Sequence, residues 1–177
     1  MYIREKAVEY ASKWWNGRNP NFYDFDLLGG DCTSFVSQCL YYGGIQMLKS
    51  PLGWFYESLN YRSPSWAGVE EFFSFCTTNT NALGVRAKQV EAGHVEVGDV
   101  VQLCLWGEDR FHHTMLITKT NFQNYFDANN PTQNDQILSN IFVSGHTTNV
   151  FNKPLINYNF RDIRFLKILN TPGRNLQ

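Results

Sequence analysis

The chain has 177 residues, a length that suits one domain (1–177) around one core, and hydrophobic residues make up 43% of it and aromatics 16%. That aromatic content excludes disorder and points to a packed domain with a stacking surface or groove. A formal net charge of −1 with no run of Lys or Arg suggests neither a nucleic-acid partner nor an anionic-membrane surface, both of which need a basic patch, and no apolar run approaches the length needed to span a bilayer.

Residues 4–15 read as a helix, because Ala7, Tyr10, Ala11 and Trp14 recur at helical spacing and Gly17 and Pro20 end the pattern. The opening Met1-Tyr2-Ile3-Arg4-Glu5-Lys6 lacks the apolar stretch of a signal peptide, and a location in the cell envelope or outside the cell stays open if a leader precedes it. A loop rich in Asn, Asp and Gly follows and closes on Gly29-Gly30-Asp31. A second helix is expected from about Cys32 to Tyr42, with Phe35, Val36, Cys39 and Leu40 as its buried stripe and Gly43-Gly44 as its stop. A third begins near Ser63-Pro64-Ser65, with Trp66, Val69, Phe72 and Phe73 facing inward.

The second half changes period. Gly98-Asp99 reads as a turn leading into the strand Val100–Leu105, and His113 to Thr118 is a second apolar run of β-formers. Residues 119–136 are polar and Asn-rich and read as a loop or a poorly regular hairpin. Ile137 to His146 and Arg161 to Ile168 read as two further strands. Helices first and antiparallel strands after is the order of an α+β domain.

Four cysteines occur, Cys32, Cys39, Cys76 and Cys104, without a C-x-x-C pair. That spacing does not suit a zinc ribbon, and a domain of this size needs no disulfide. Cys39, Cys76 and Cys104 read as buried thiols. Cys32 differs, because it opens an amphipathic helix directly after two glycines and an acid. A helix N-terminus carries partial positive charge and free N–H groups, which favour a thiolate, and a nearby imidazolium favours it further. The glycine turn permits close approach of a substrate. It also leaves the Cys32 N–H free for an oxyanion, a donor typically worth about 3–4 kcal/mol at the transition state.

Four histidines could serve as base. His94 precedes the first long strand, His112 and His113 open a strand, and His146 closes one. A lone His is more often structural than catalytic. A Cys at a helix start, with His residues at the ends of downstream strands, is what a Cys–His site with an orienting third residue requires. Side chains alternate along a strand, so only one of His112 and His113 can face the thiol, and periodicity alone does not choose between them.

Gly29-Gly30-Asp31-Cys32-Thr33-Ser34-Phe35-Val36-Ser37-Gln38-Cys39-Leu40 closely resembles the signature of the bacterial "putative amidase domain" family, grouped with cell-wall cysteine peptidases of the NlpC and CHAP types. Trp14-Trp15-Asn16, Asn19-Pro20, Arg62-Ser63, Ser65-Trp66, Gly98-Asp99-Val100-Val101-Gln102, His113-Thr114-Met115 and His146-Thr147-Thr148-Asn149 extend the resemblance over nearly the whole chain. It implies a papain-like cysteine hydrolase fold, with N-terminal helices on an antiparallel sheet. It further implies Cys32 as nucleophile, His113 as base because the matching pattern is a His before Ser or Thr, and His146 as the orienting residue. Asp31 would be structural. The polar stretch Asn121 to Gln136 is longer than the family's usual connection, which makes Asp127 a competitor for the third role.

The function expected from this resemblance is hydrolysis of an amide bond through a thioester, with bacterial cell-wall peptide as substrate class. The expected partner is a peptide or amide substrate such as peptidoglycan, and the expected state is a monomer, with no metal or organic cofactor implied. The rival readings are a non-catalytic binding domain on the same fold and a Cys/His metal-binding protein. Trp54, Trp66 and Trp106 lie beside polar turn residues and are candidates to line a substrate groove.

Overall fold

In the computed structural model, residues 1–122 and 133–170 are described. The elements run α1 (Arg4–Trp14), α2 (Cys32–Tyr42), β1 (Tyr56–Ser58), β2 (Tyr61–Arg62), α3 (Pro64–Ala67), α4 (Val69–Thr78), β3 (Ala87–Val90), β4 (Val100–Leu105), β5 (His113–Thr120), α5 (Gln133–Ser139), β6 (Ile141–Gly145), β7 (Val150–Pro154) and β8 (Phe160–Ile168). The expected third helix is two helices. Gly68 is extended (φ −90°, ψ 135°) between them, which breaks the hydrogen-bond ladder after one turn. The expected strand from Ile137 is partly a helix: residues through Ser139 are helical, and β6 begins only at Ile141. Asp127 lies outside the described residues.

Strands β3-β8-β4-β5-β6-β7 form one curled antiparallel sheet in that order. Both faces are covered. Val100, Leu116 and Leu166 pack with α1, α2 and α4, while Val101, Leu103, Met115, Ile117 and Val143 pack on the other side with Ile137 and Leu138 of α5. This is why β4 is buried at nearly every position rather than at alternate ones. Odd-numbered residues of β5 from His113 to Ile117 therefore point away from α2, and Thr114 and Leu116 point toward it.

The N-terminal helix is fastened to the far end of the sheet. Arg4 donates to the carbonyls of Val97 and Ile168 and forms an ion pair with buried Asp99 at 2.6 Å. The Asp99 carboxylate also accepts the N–H groups of Glu96 and Ile168. The Gly98-Asp99 turn thus locks β4 to β8 and to α1.

Candidate active site

The loop before Cys32 is shaped by two glycines in the left-handed region, Gly29 at φ 101° and Gly30 at φ 111°. A Cβ on Gly30 would lie 2.9 Å from Thr147 Oγ1, so the turn after β6 leaves room for nothing larger. Asp31 is buried and ties the loop down. Its Oδ1 accepts the Phe25 N–H at 3.3 Å, and its own N–H donates to Thr147 Oγ1 at 3.2 Å. Its side chain caps no helix N–H. Cys32 follows as the first residue of α2, with 4% of its surface exposed.

The sulphur of Cys32 sits 3.8 Å from Thr33 Oγ1 and 3.9 Å from the His112 carbonyl oxygen. It also receives the Thr114 N–H. Those two peptide groups flank His113, so the thiol lies against the backbone of that residue. Sheet geometry explains why the place is open. Ile117 donates its N–H to the Asp99 carbonyl and accepts the Gly98 N–H, and His112 donates its N–H to the Leu103 carbonyl, all on the β4 side, whereas the His112 C=O and the Thr114 N–H are turned the other way, to Cys32. The β5–β6 register ends at Leu116↔Ser144, and Cys32 fills the edge that β6 has left.

No hydrogen bond joins the Cys32 sulphur to the His113 ring. His113 is buried, with Tyr158 as its ring neighbour at 6.3 Å between centroids. Burial lowers its pKa to about 4, with the charges of His112 and Lys153 adding to the effect. Burial pushes the Cys32 thiol above its ordinary value of 9.0. The donors Thr114 N–H, Thr33 Oγ1–H and Thr33 N–H pull it down, and Asp31 pushes it up. Burial thus disfavours the charged form of each group and opposes the thiolate–imidazolium pair expected from a helix N-terminus.

His146 stands elsewhere in this corner. Its Nε2 donates to the Trp14 carbonyl at 2.8 Å, its Nδ1 meets Asp31 Oδ2 at 2.6 Å, and its ring stacks on Phe35 at 3.9 Å. A carbonyl can only accept, so the Nε2 position carries a proton, and the Nδ1 contact needs another between His and Asp. Both nitrogens are thus taken, and neither is turned to His113. Its neighbours do similar work: Thr147 holds the Asp31 N–H, and Asn149 Oδ1 accepts from Arg18, which also pairs with Asp26.

His112 lies at the mouth of an open cleft bounded by Gly29, Gly30, Phe25, Arg62, Arg110 and Phe111. Its Nδ1 is 3.3 Å from the Arg110 carbonyl. His94 lies in a short 3-10 turn at 92–94, where its carbonyl accepts from Lys167. Cys39, Cys76 and Cys104 are buried free thiols. Trp54 and Trp66 belong to the core, so neither lines a groove, whereas Trp106 is 64% exposed. Among the described residues no group of three His, Cys, Asp or Glu side chains could hold a metal ion, and no helix is long and apolar enough to cross a membrane.

The residues that sequence reasoning passed over are Thr33, Gln102, Thr114 and Arg164. Each is buried and polar, and Gln102 stands at the centre of an apolar strand. A lone polar residue in a run such as Val-Val-Gln-Leu was the available signal.

The frame is a mixed one, with a helix-opening cysteine against the strand that carries His113. The chain belongs to the family described as "putative amidase domain", whose profile matches residues 1–167. Among curated proteins it is similar to the uncharacterized protein YhbB of Bacillus subtilis (strain 168), 37% identical over 121 residues. That match covers 66% of this chain and 37% of the relative, so the chain spans little more than a third of that protein's length. No solved structure matches.

Proposed function

We propose that this domain is a papain-like cysteine hydrolase that cleaves an amide bond through a thioester on Cys32. The observation that carries the reading is the seat of the sulphur, at the first residue of α2 and between the two peptide groups that flank His113. His113 takes the thiol proton as Cys32 attacks the carbonyl carbon, and returns it to the departing amine as the C–N bond breaks. Water then hydrolyses the thioester and restores the thiol. An imidazole kept neutral by burial is in the form that accepts a proton. The Cys32 N–H makes no hydrogen bond among the described residues and is available to the carbonyl oxygen.

His146 serves this site by fixing Asp31 and the loop ahead of the nucleophile. Cell-wall peptide is the substrate class, supported by the resemblance of the Gly29–Leu40 segment to cell-wall hydrolases. The test is digestion of purified peptidoglycan, with fragments identified by mass spectrometry. New amine and carboxylate ends should appear with the native protein and not with Cys32→Ala. Fragments released equally by both would overturn the assignment.

A second reading makes His112 the base. It rests on alternation: His112 shares its side of β5 with Thr114 and Leu116, which face α2, and it lines the cleft beside Gly29 and Gly30. Turnover lost in His112→Ala and kept in His113→Ala would select it.

A further inference from the structure

A row of buried polar side chains crosses the sheet and ends at the nucleophile. Arg164, Gln102 and Thr114 are cross-strand neighbours on β8, β4 and β5, on the face that meets α2. Arg164 is clamped between the rings of Phe73 and Phe111, with its Cζ 3.7 and 4.0 Å from their centroids, and it pairs with Glu70 at 2.9 Å. Its Nε donates to Gln102 Oε1 at 2.7 Å. Gln102 Nε2 donates to the Val69 carbonyl at 3.0 Å and to Thr114 Oγ1 at 3.1 Å. Thr114 Oγ1 is 2.9 Å from Thr33 Oγ1, which is 3.8 Å from the Cys32 sulphur.

The direction of each hydrogen bond follows from the two ends of the row. A guanidinium can only donate, so the Gln102 oxygen must face Arg164 and its amide nitrogen must face Thr114. Thr114 Oγ1 accepts from Gln102, and the sulphur end fixes the rest: the one thiol hydrogen goes to the His112 carbonyl, so Thr33 Oγ1 donates to the sulphur and, its one hydrogen spent, accepts from Thr114 Oγ1. We propose that Arg164, Gln102, Thr114 and Thr33 form a one-way donor chain that holds the Thr33 hydroxyl on Cys32 and steadies the sulphur as it loses its proton. Thr33, Thr114, Gln102 and Arg164 are positioning residues that act through one another. The resting thiol directs its own hydrogen to the His112 carbonyl. When that proton leaves, the donors from Thr33 and Thr114 remain.

This inference rests on the reading of Cys32 as nucleophile, but its test uses no substrate. The rate of iodoacetamide alkylation at Cys32 is followed against pH, with the labelled peptide identified by mass spectrometry. Thr33→Val, which keeps the shape and removes the hydroxyl, should slow alkylation about tenfold at pH 8 and move the profile to higher pH. Thr33→Ser should restore the native profile. Gln102→Glu keeps the acceptor for Arg164 and removes the donor to Thr114, and neutral Gln102→Met removes both. Each should slow alkylation in the same sense without touching Cys32. Native rates in Thr33→Val, or a slowing in Thr33→Ser equal to that in Thr33→Val, would overturn the chain. If the Gln102 variants fail to fold, the Thr33 pair decides. A failed hydrolysis assignment would show instead as activity surviving in Cys32→Ala, whatever the labelling does.

Discussion

Two buried histidines, one opening strand β5 and one in the turn just after β6, live in opposite surroundings. His146 has 1% of its surface exposed and both nitrogens bonded, one to a carbonyl and one to a carboxylate. His113 has 8% exposed, Tyr158 as its ring neighbour and a pKa lowered to about 4. A buried imidazole whose hydrogen bonds are all used is a fastening. One that burial holds neutral keeps its lone pair free to take a proton. Under the function proposed above, the Asp31–His146 pair would serve stability and the Cys32–His113 corner chemistry.

The largest effect should come from Cys32→Ala, which removes the attacking atom. Hydrolysis should drop to background while the thermal midpoint stays nearly native, and surviving turnover would break the comparison at once. His113→Ala should lower kcat/KM by about 10²–10⁴, with His112→Ala within a few-fold. Swapped outcomes would move the chemistry to the other face of β5.

His146→Ala should show the reverse pattern. It leaves the buried Asp31 carboxylate with only the more distant Arg18 at 3.6 Å as a charged neighbour, at a cost of about 3 kcal/mol seen in chemical denaturation. Activity should fall less than in His113→Ala. A large loss of turnover with unchanged stability would make His146 part of the chemistry.

The pH dependence of stability separates the two more finely. The folded pKa of His113 lies near 4, below its ordinary 6.5, so the unfolded chain takes up this proton first as pH falls. Its contribution is fully present above pH 6.5 and is lost as pH falls toward 4, on the order of 3 kcal/mol in all. His113→Phe should flatten the curve in that window, and an unchanged slope would place His113 in a more solvated setting. The smallest expected effect is none: a reducing agent should leave the melting temperature unchanged, because all four cysteines are free thiols.

The site's local parts were legible in the sequence. Glycines before a helix-opening Cys specify a turn and a helix start within a few residues, and the structure places α2 at Cys32–Tyr42 as expected. Strands β4, β5 and β8 were readable because apolar runs of β-formers are rare elsewhere in the chain. Edge strand β3 was not, since Ala-Lys-Gln-Val carries no periodic signal, and Ile137-Leu138 fit a strand as well as the helix they form. The partner of His146 was out of reach for another reason. Alternation says which face a side chain takes, but not that a residue 115 positions earlier in the chain will meet it there. The polar row from Arg164 to Thr33 needs the sheet order β8-β4-β5, which no local pattern encodes.

The fastening of Arg4 to Asp99 and Ile168 has a consequence for the order in which the protein is made. On a ribosome α1 emerges well before the sheet, and the Ile168 carbonyl that Arg4 binds emerges 164 residues after Arg4. Contacts of such separation are slow to close and cannot guide early collapse. Helix α1 can pack early on α2, through the Tyr10 hydroxyl on Gln38 and the Ile3 N–H on the Gly43 carbonyl, but Arg4 lacks its partners until β8 pairs with β4. The pair α1–α2 can thus form while the chain is being made, and its clamp onto the sheet closes only with the last strand.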